Sequence, residues 1–77
     1  MGQATRPDFG GATKRLREKN GLSQTDLREL IKMEASQISR LETGDSFPRW
    51  ETIEKLAKAF KITPLDFIAY AMNHREG

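Results

Sequence analysis

Between Leu22 and Gly44 the apolar residues recur at helical spacing in two short runs, and the periodicity lapses over the three residues Lys32 to Glu34. Leu27, Leu30 and Ile31 fall on one side of a first helix, and Ile38 and Leu41 on one side of a second. Two short amphipathic helices joined by a three-residue turn, with the polar groups of the second left outward, form a helix-turn-helix.

The ends of both helices are marked. Ser23 is a good N-cap, because its hydroxyl can accept from an orphan amide of the first turn. Asp26 stands three residues on, where a carboxylate reaches back in a capping box and suits the positive end of the helix, so the helix starts at Gln24. Its outer side carries Gln24, Arg28 and Glu29. The second helix is predicted over about Ala35 to Glu42, and Gly44 supplies the left-handed position that ends it. Only Ile38 and Leu41 anchor it; Ser36, Gln37, Ser39, Arg40 and Thr43 do not. Hydroxyls, an amide and a guanidinium can read base edges and phosphates in a major groove, but a solvated helix face has the same composition.

The stretch resembles the helix-turn-helix of the lambda and Cro repressor-like family, also called the XRE family. The matching residues are Arg17, Gly21, Leu22, Ser23, Gln24, Leu27, Ile31, Ile38, Ser39, Arg40, Leu41, Glu42 and Gly44. They continue through Pro48, Ile53, Leu56, Ala57, Phe60, Ile62 and Phe67 or Leu65, so the likeness runs from about Phe9 to Ile68. Three positions depart from the family pattern. Arg28 stands where the family usually has Ala at a close helix crossing, and its stem must lie along that crossing with the head in solvent. Lys32 stands at the usual turn Gly, which costs roughly 1 kcal/mol at a positive dihedral. Glu34 replaces the usual Ser or Thr cap of the recognition helix and puts negative charge near the groove.

Outside this unit the chain reads as helical scaffold. Asp8 can cap a helix running to about Lys19, with Phe9 and Leu16 inward and Asn20-Gly21 closing it, although Gly10 and Gly11 weaken its first turn. Trp50, Ile53, Leu56, Ala57 and Phe60 recur at three- and four-residue steps and predict a fourth helix whose large aromatics are core. Thr63-Pro64 starts a fifth, since Thr can cap and Pro is preset for the first helical position. Strand signals are absent, so the predicted fold is all-α, a five-helix lambda-repressor-like domain. Residues 1–7 are expected to be a flexible arm, and residues 8–74 the domain with a C-terminal dimerisation helix.

Composition fits a small DNA binder. A single domain of 77 residues buries only about 60 to 65% of its unfolded surface and would gain from a dimer interface. With no cysteine, neither disulfides nor a cysteine-based zinc site is available, which suits a reducing cytoplasm. The 13 basic and 11 acidic residues leave a formal charge of +2, which argues against a generic polyanion coat and for a patterned surface. Lys14, Arg15, Arg17 and Lys19 crowd the first helix, while acids gather at Asp45, Glu51, Glu54 and Asp66. No apolar run approaches a membrane span of roughly 20 residues, and no signal peptide is visible.

The resemblance also implies roles. Gln24 would touch a phosphate and brace the recognition helix; Ser36 and Gln37 would contact bases. Arg40 could take a guanine edge or a phosphate, or serve in a surface ion pair. Ala35 offers only a methyl, for a thymine methyl or for nothing. Ser39 would let the helix approach its neighbour or a phosphate, Thr43 and Gly44 would meet phosphate at the helix end, and Arg49 would grip the backbone, with Asp45 opposing. Arg17 and Glu42 would form a partly buried structural salt bridge rather than a DNA contact.

Other residues are plainer. Met33 packs in the turn, and His74 is alone near the terminus. Catalytic sets, metal-ligand spacings and phosphate-binding glycine loops are missing, so neither enzymatic activity nor a cofactor is expected. In the C-terminal segment Leu65, Phe67, Ile68, Tyr70, Ala71 and Met72 exceed what one helix face can bury, so Phe67, Ile68, Tyr70, Ala71 and Met72 are expected at a homodimer interface. The combined expectation is a prokaryotic or phage transcriptional regulator, a repressor or controller protein binding a palindromic operator in double-stranded DNA. The alternative is an antitoxin-like protein-interaction module with weak or no DNA binding, which Glu34, Asp45 and the low net charge favour.

Overall fold

Among the described residues three of the five helices begin where the sequence supplies a side-chain cap. In the computed structural model, which describes residues 7–73, the Asp8 carboxylate accepts from the Gly11 N–H at 2.9 Å and opens α1 (Phe9–Lys19). The Ser23 hydroxyl accepts from the Asp26 N–H at 3.0 Å while the Asp26 carboxylate accepts from the Ser23 N–H at 2.9 Å, a reciprocal box that starts α2 (Gln24–Ile31). Thr63 and Asp66 repeat the device ahead of α5 (Pro64–Asn73), at 3.0 and 3.4 Å. The remaining elements are α3 (Ala35–Thr43) and α4 (Trp50–Ala59). The expected arm falls in residues 1–6 apart from Pro7, so it lies outside the described residues, as does His74.

Left-handed residues make the sharp exits. Lys32 ends α2 at φ 56° and Gly44 ends α3 at φ 89°. Lys61, just after α4, also sits at φ 62°, which nothing in the sequence had indicated.

The core lies where α1 crosses α3 and α5 and where α2 and α4 close the other side. Leu27, Ile38, Leu41, Leu56 and Phe67 are its largest fully buried apolar side chains. An aromatic row runs through it, with Phe9 5.2 Å from Phe47 and 5.5 Å from Phe67, and Phe60 6.1 Å from Phe67 between ring centroids. The Asp8 N–H donates to the Ala71 carbonyl at 3.0 Å and joins the start of α1 to α5. Gly10 is explained by the α1/α3 crossing, since a Cβ there would fall on the carbonyl oxygen of Leu41.

Some expectations about burial do not hold. Trp50 is 53% exposed and Leu30 is 55% exposed, although both lie at core spacing. The apolar face of α4 is buried only from Ile53 onward, leaving Trp50 at its edge. Conversely, Phe67 and Ala71, expected at a homodimer interface, are buried in the chain's own core and offer no surface to a partner. Among the described residues no helix is long and apolar enough to cross a membrane.

Candidate nucleic-acid interface

α3 is fixed from behind by a charged node. Arg17 on α1 donates through Nε to Glu42 Oε2 at 2.7 Å and through Nη2 to Oε1 at 3.2 Å, while its Nη1 donates to the Leu22 carbonyl at 2.9 Å. The hydrogen bond to Glu42, reinforced by charge attraction and opposed by desolvation, raises the Arg17 pKa above arginine's ordinary value. The Gln24 amide donates to Glu42 Oε1 at 2.9 Å, so the first residue of α2 is tied to the last turn of α3. The node joins the three helices whose relative placement decides how α3 is presented.

Ala35, Ser36, Gln37, Ser39, Arg40 and Thr43 all lie exposed on α3, and Arg49 is exposed just after the buried Pro48. Gln37, Arg40 and Arg49 come together in one open cleft of about 600 Å³ between α3, the following loop and the first turns of α4. Gln37 also repairs the weak cap: its Oε1 accepts from the Glu34 N–H at 3.2 Å. The Thr43 hydroxyl donates to the Arg40 carbonyl at 3.2 Å, and the Asp45 N–H joins the same carbonyl at 2.8 Å, folding the loop against the end of α3. Among the described residues Arg40 forms no ion pair.

The cleft also holds two cations not among the expected site residues, Lys32 and Lys55, with one acid, Glu51. Lys55 lies three and four residues beyond Thr52 and Glu51 in the same helix, and that spacing from the loop was the available signal. In the sequence Lys32 stands out only as a turn residue. Ala35, Ser36, Ser39 and Thr43 do not line the cleft, and Gln24 is engaged with Glu42.

Over residues 8–66 the chain matches a family model described as a helix-turn-helix domain. Among solved structures it is similar in fold to the clp gene regulator ClgR from Corynebacterium glutamicum, with a TM-score of 0.79 and 22% identity over 90% of this chain and 73% of that one. The restriction-modification controller protein C.AhdI from Aeromonas hydrophila is 33% identical with a TM-score of 0.73, covering 78% of this chain and 91% of its own. PlcR from Bacillus thuringiensis, solved in complex with the peptide PapR7 and DNA, is 25% identical with a TM-score of 0.73, and the match covers 92% of this chain but 25% of PlcR. No curated protein matches the chain.

Proposed function

The chain belongs to the helix-turn-helix domain family, in its lambda and Cro repressor-like branch, and from that premise we propose that it is a non-enzymatic transcriptional regulator reading a palindromic operator as a homodimer. Its fold is that of helix-turn-helix DNA-binding regulators. One observation carries the finer reading: Gln37, Arg40 and Arg49 converge on the exposed flank of a helix whose other side is locked to the core by Arg17 and Glu42.

The roles follow from which atoms are left to act. Gln37 keeps its amide nitrogen and a second lone pair on Oε1, so it can address a base acceptor such as purine N7 or, with both groups, an adenine edge. Arg40 takes a guanine edge or a phosphate, and Arg49 with Lys32 and Lys55 neutralises backbone along the cleft. Ser36 and Ala35, in the first turn of α3, complete the base-facing surface, with Ser39, Thr43 and Gln24 flanking it toward phosphate. A single domain covers one half-site, so a two-fold pair with recognition helices roughly 34 Å apart supplies specificity. The surface for that pair includes Ile68, Tyr70 and Met72 of α5, together with Leu65, which is 74% exposed. The similarity to C.AhdI makes a small autonomous regulator of the controller type the favoured form.

Selection from a random duplex library tests the reading. A two-fold symmetric motif should emerge, with log affinity falling by about 0.9 per phosphate neutralised as log salt rises. Failure to enrich any motif, with binding insensitive to salt, would leave a protein-interaction module on the same fold, as the acids Glu34 and Asp45 beside α3 would suit.

A further inference from the structure

Adjoining the Gln37 cleft, with which it shares Lys32 and Lys55, an open groove of about 650 Å³ runs between α2 and α4. Its floor is apolar, formed by Leu22, Leu30, Ile31 and Ala59. Four lysines line it, Lys32, Lys55, Lys58 and Lys61, and no acid does. Among the described residues none of the four is in an ion pair. Leu30 is large, apolar and 55% exposed, so half of it has no partner in this protomer. Both non-glycine residues with positive φ, Lys32 at 56° and Lys61 at 62°, belong to this one groove, so the backbone bears strain at two points where lysine stands.

We propose that this groove docks an acidic, amphipathic helical segment of a protein partner. An apolar floor with a cationic rim is complementary to a helix bearing leucine-like anchors on one face and carboxylates along its edges. The openness of the groove suits a segment that covers it rather than a small molecule enclosed by it. Nucleic acid fits less well, because phosphates have no use for the exposed Leu30, and Asp26 and Glu29 stand on the other side of that leucine. The inference goes beyond DNA reading and stands without it. Where both hold, Lys32 and Lys55 line the groove and the recognition cleft alike, so the occupant competes with the operator for their charge.

The test is an amide-resolved NMR titration of the intact chain with a synthetic acidic amphipathic peptide of about 16 residues, having leucines at helical spacing between glutamates. A scrambled peptide of identical composition is the control, and a random-sequence duplex is titrated separately. Saturable binding with shifts at Leu30, Lys32, Lys58 and Ala59, and at least about tenfold weaker binding of the scrambled peptide, supports the proposal. Lys58→Glu should weaken binding about tenfold and Leu30→Ala several-fold, both being exposed sites that leave the fold intact. Lys61→Gly removes a rim charge while relieving a left-handed residue, so it should bind the peptide several-fold more weakly yet melt a few degrees higher. Equal binding of the scrambled peptide, shifts confined to α3, or no saturation overturns the proposal. Groove shifts produced by the duplex and not by the peptide overturn it in favour of a nucleic-acid surface.

Discussion

Arg17 grips Glu42 through two parallel hydrogen bonds, Nε to Oε2 at 2.7 Å and Nη2 to Oε1 at 3.2 Å, with only 11% and 4% of the two side chains exposed. Such a fork fixes both distance and plane, which a single lysine contact would not. Because Gln24 shares Oε1, a disturbance at Arg17 reaches the start of α2 as well as the end of α3.

Arg17→Ala should therefore unfold the domain more easily by about 3 kcal/mol, since it strands a buried carboxylate rather than merely deleting a favourable contact. For a chain of this size that corresponds to a fall in melting temperature of more than about 10 °C. Circular-dichroism melts check it, and a variant as stable as the parent would refute the node's structural role. The raised pKa of Arg17 adds a sign: its contribution is complete below arginine's ordinary pKa and lost only as pH rises through the higher folded value, so this guanidinium gives no pH dependence near neutrality.

Asp26 does give one, at the acid end. The Ser23 backbone N–H, and then its hydroxyl, hold the Asp26 carboxyl below its ordinary value. A depressed carboxylate contributes stability above its unfolded pKa and loses it as pH falls through the folded one. Asp26→Asn should accordingly be less stable than the parent at pH near 7, and the gap should close progressively below about pH 4. A gap that stays constant across that range would assign the cap's effect to geometry rather than charge.

How far these features can be read from the chain depends on whether their cause is local. Caps at Asp8, Ser23 and Thr63 are written in neighbouring residues, whereas the left-handed Lys32 is legible through the family resemblance, which puts a turn glycine at that position. The Arg17 to Glu42 tie spans 25 residues and was legible only through the family resemblance. Trp50 and Leu30 have core spacing, yet periodicity cannot say where a helix overhangs its neighbours, and both are half exposed. Phe67 and Ala71 fail in the opposite direction, because counting apolar residues on α5 does not tell which of them α1 and α4 already cover. The cleft cations Lys32 and Lys55 lie on different elements and meet only in three dimensions.

At Lys32, φ 56° implies that Lys32→Gly should stabilise the fold by about 1 kcal/mol, and raise the melting temperature by about 4 to 8 °C, by removing the Cβ clash of the left-handed region. The same substitution deletes a cleft cation, so non-specific duplex affinity should fall and the log–log salt slope should shrink by about 0.9. Stability and affinity moving in opposite directions is the signature; a variant less stable than the parent would mean that the lysine stem packs usefully in the turn.

On the proposed reading, variants of Gln37 and Arg40 separate base reading from phosphate contact. Gln37→Ala should cost about 1 to 3 kcal/mol of specific affinity and relax selectivity at one base pair of each half-site, with a smaller stability loss from the Glu34 N–H that it caps. If Arg40 meets phosphate, Arg40→Ala weakens every duplex alike and lowers the salt slope; if it meets guanine, the selected motif changes instead. Repeating the library selection with both variants distinguishes the outcomes, and an unchanged motif and affinity for Gln37→Ala would remove it from the interface.

Gly10 and Gly11 are adjacent glycines in one helical turn, yet they should respond oppositely to alanine. A Cβ at position 10 meets the backbone of α3, with the Leu41 carbonyl oxygen directly in its path and the Glu42 carbonyl oxygen 3.0 Å away. Neither can move without separating α1 from α3 and stretching the Arg17 to Glu42 bonds, so Gly10→Ala should destabilise by about 2 to 3 kcal/mol despite alanine's better helix propensity. The nearest atoms to a Cβ at position 11 are those of the Asp8 carboxylate, which can rotate away. The cap loss of about 1 kcal/mol then roughly cancels the gain of about 1 kcal/mol from replacing glycine in a helix. Denaturant midpoints at unchanged m-value provide the comparison. If Gly10→Ala proved neutral, α1 and α3 would have to yield at their crossing, and the rigid presentation of the recognition helix would lose its physical basis.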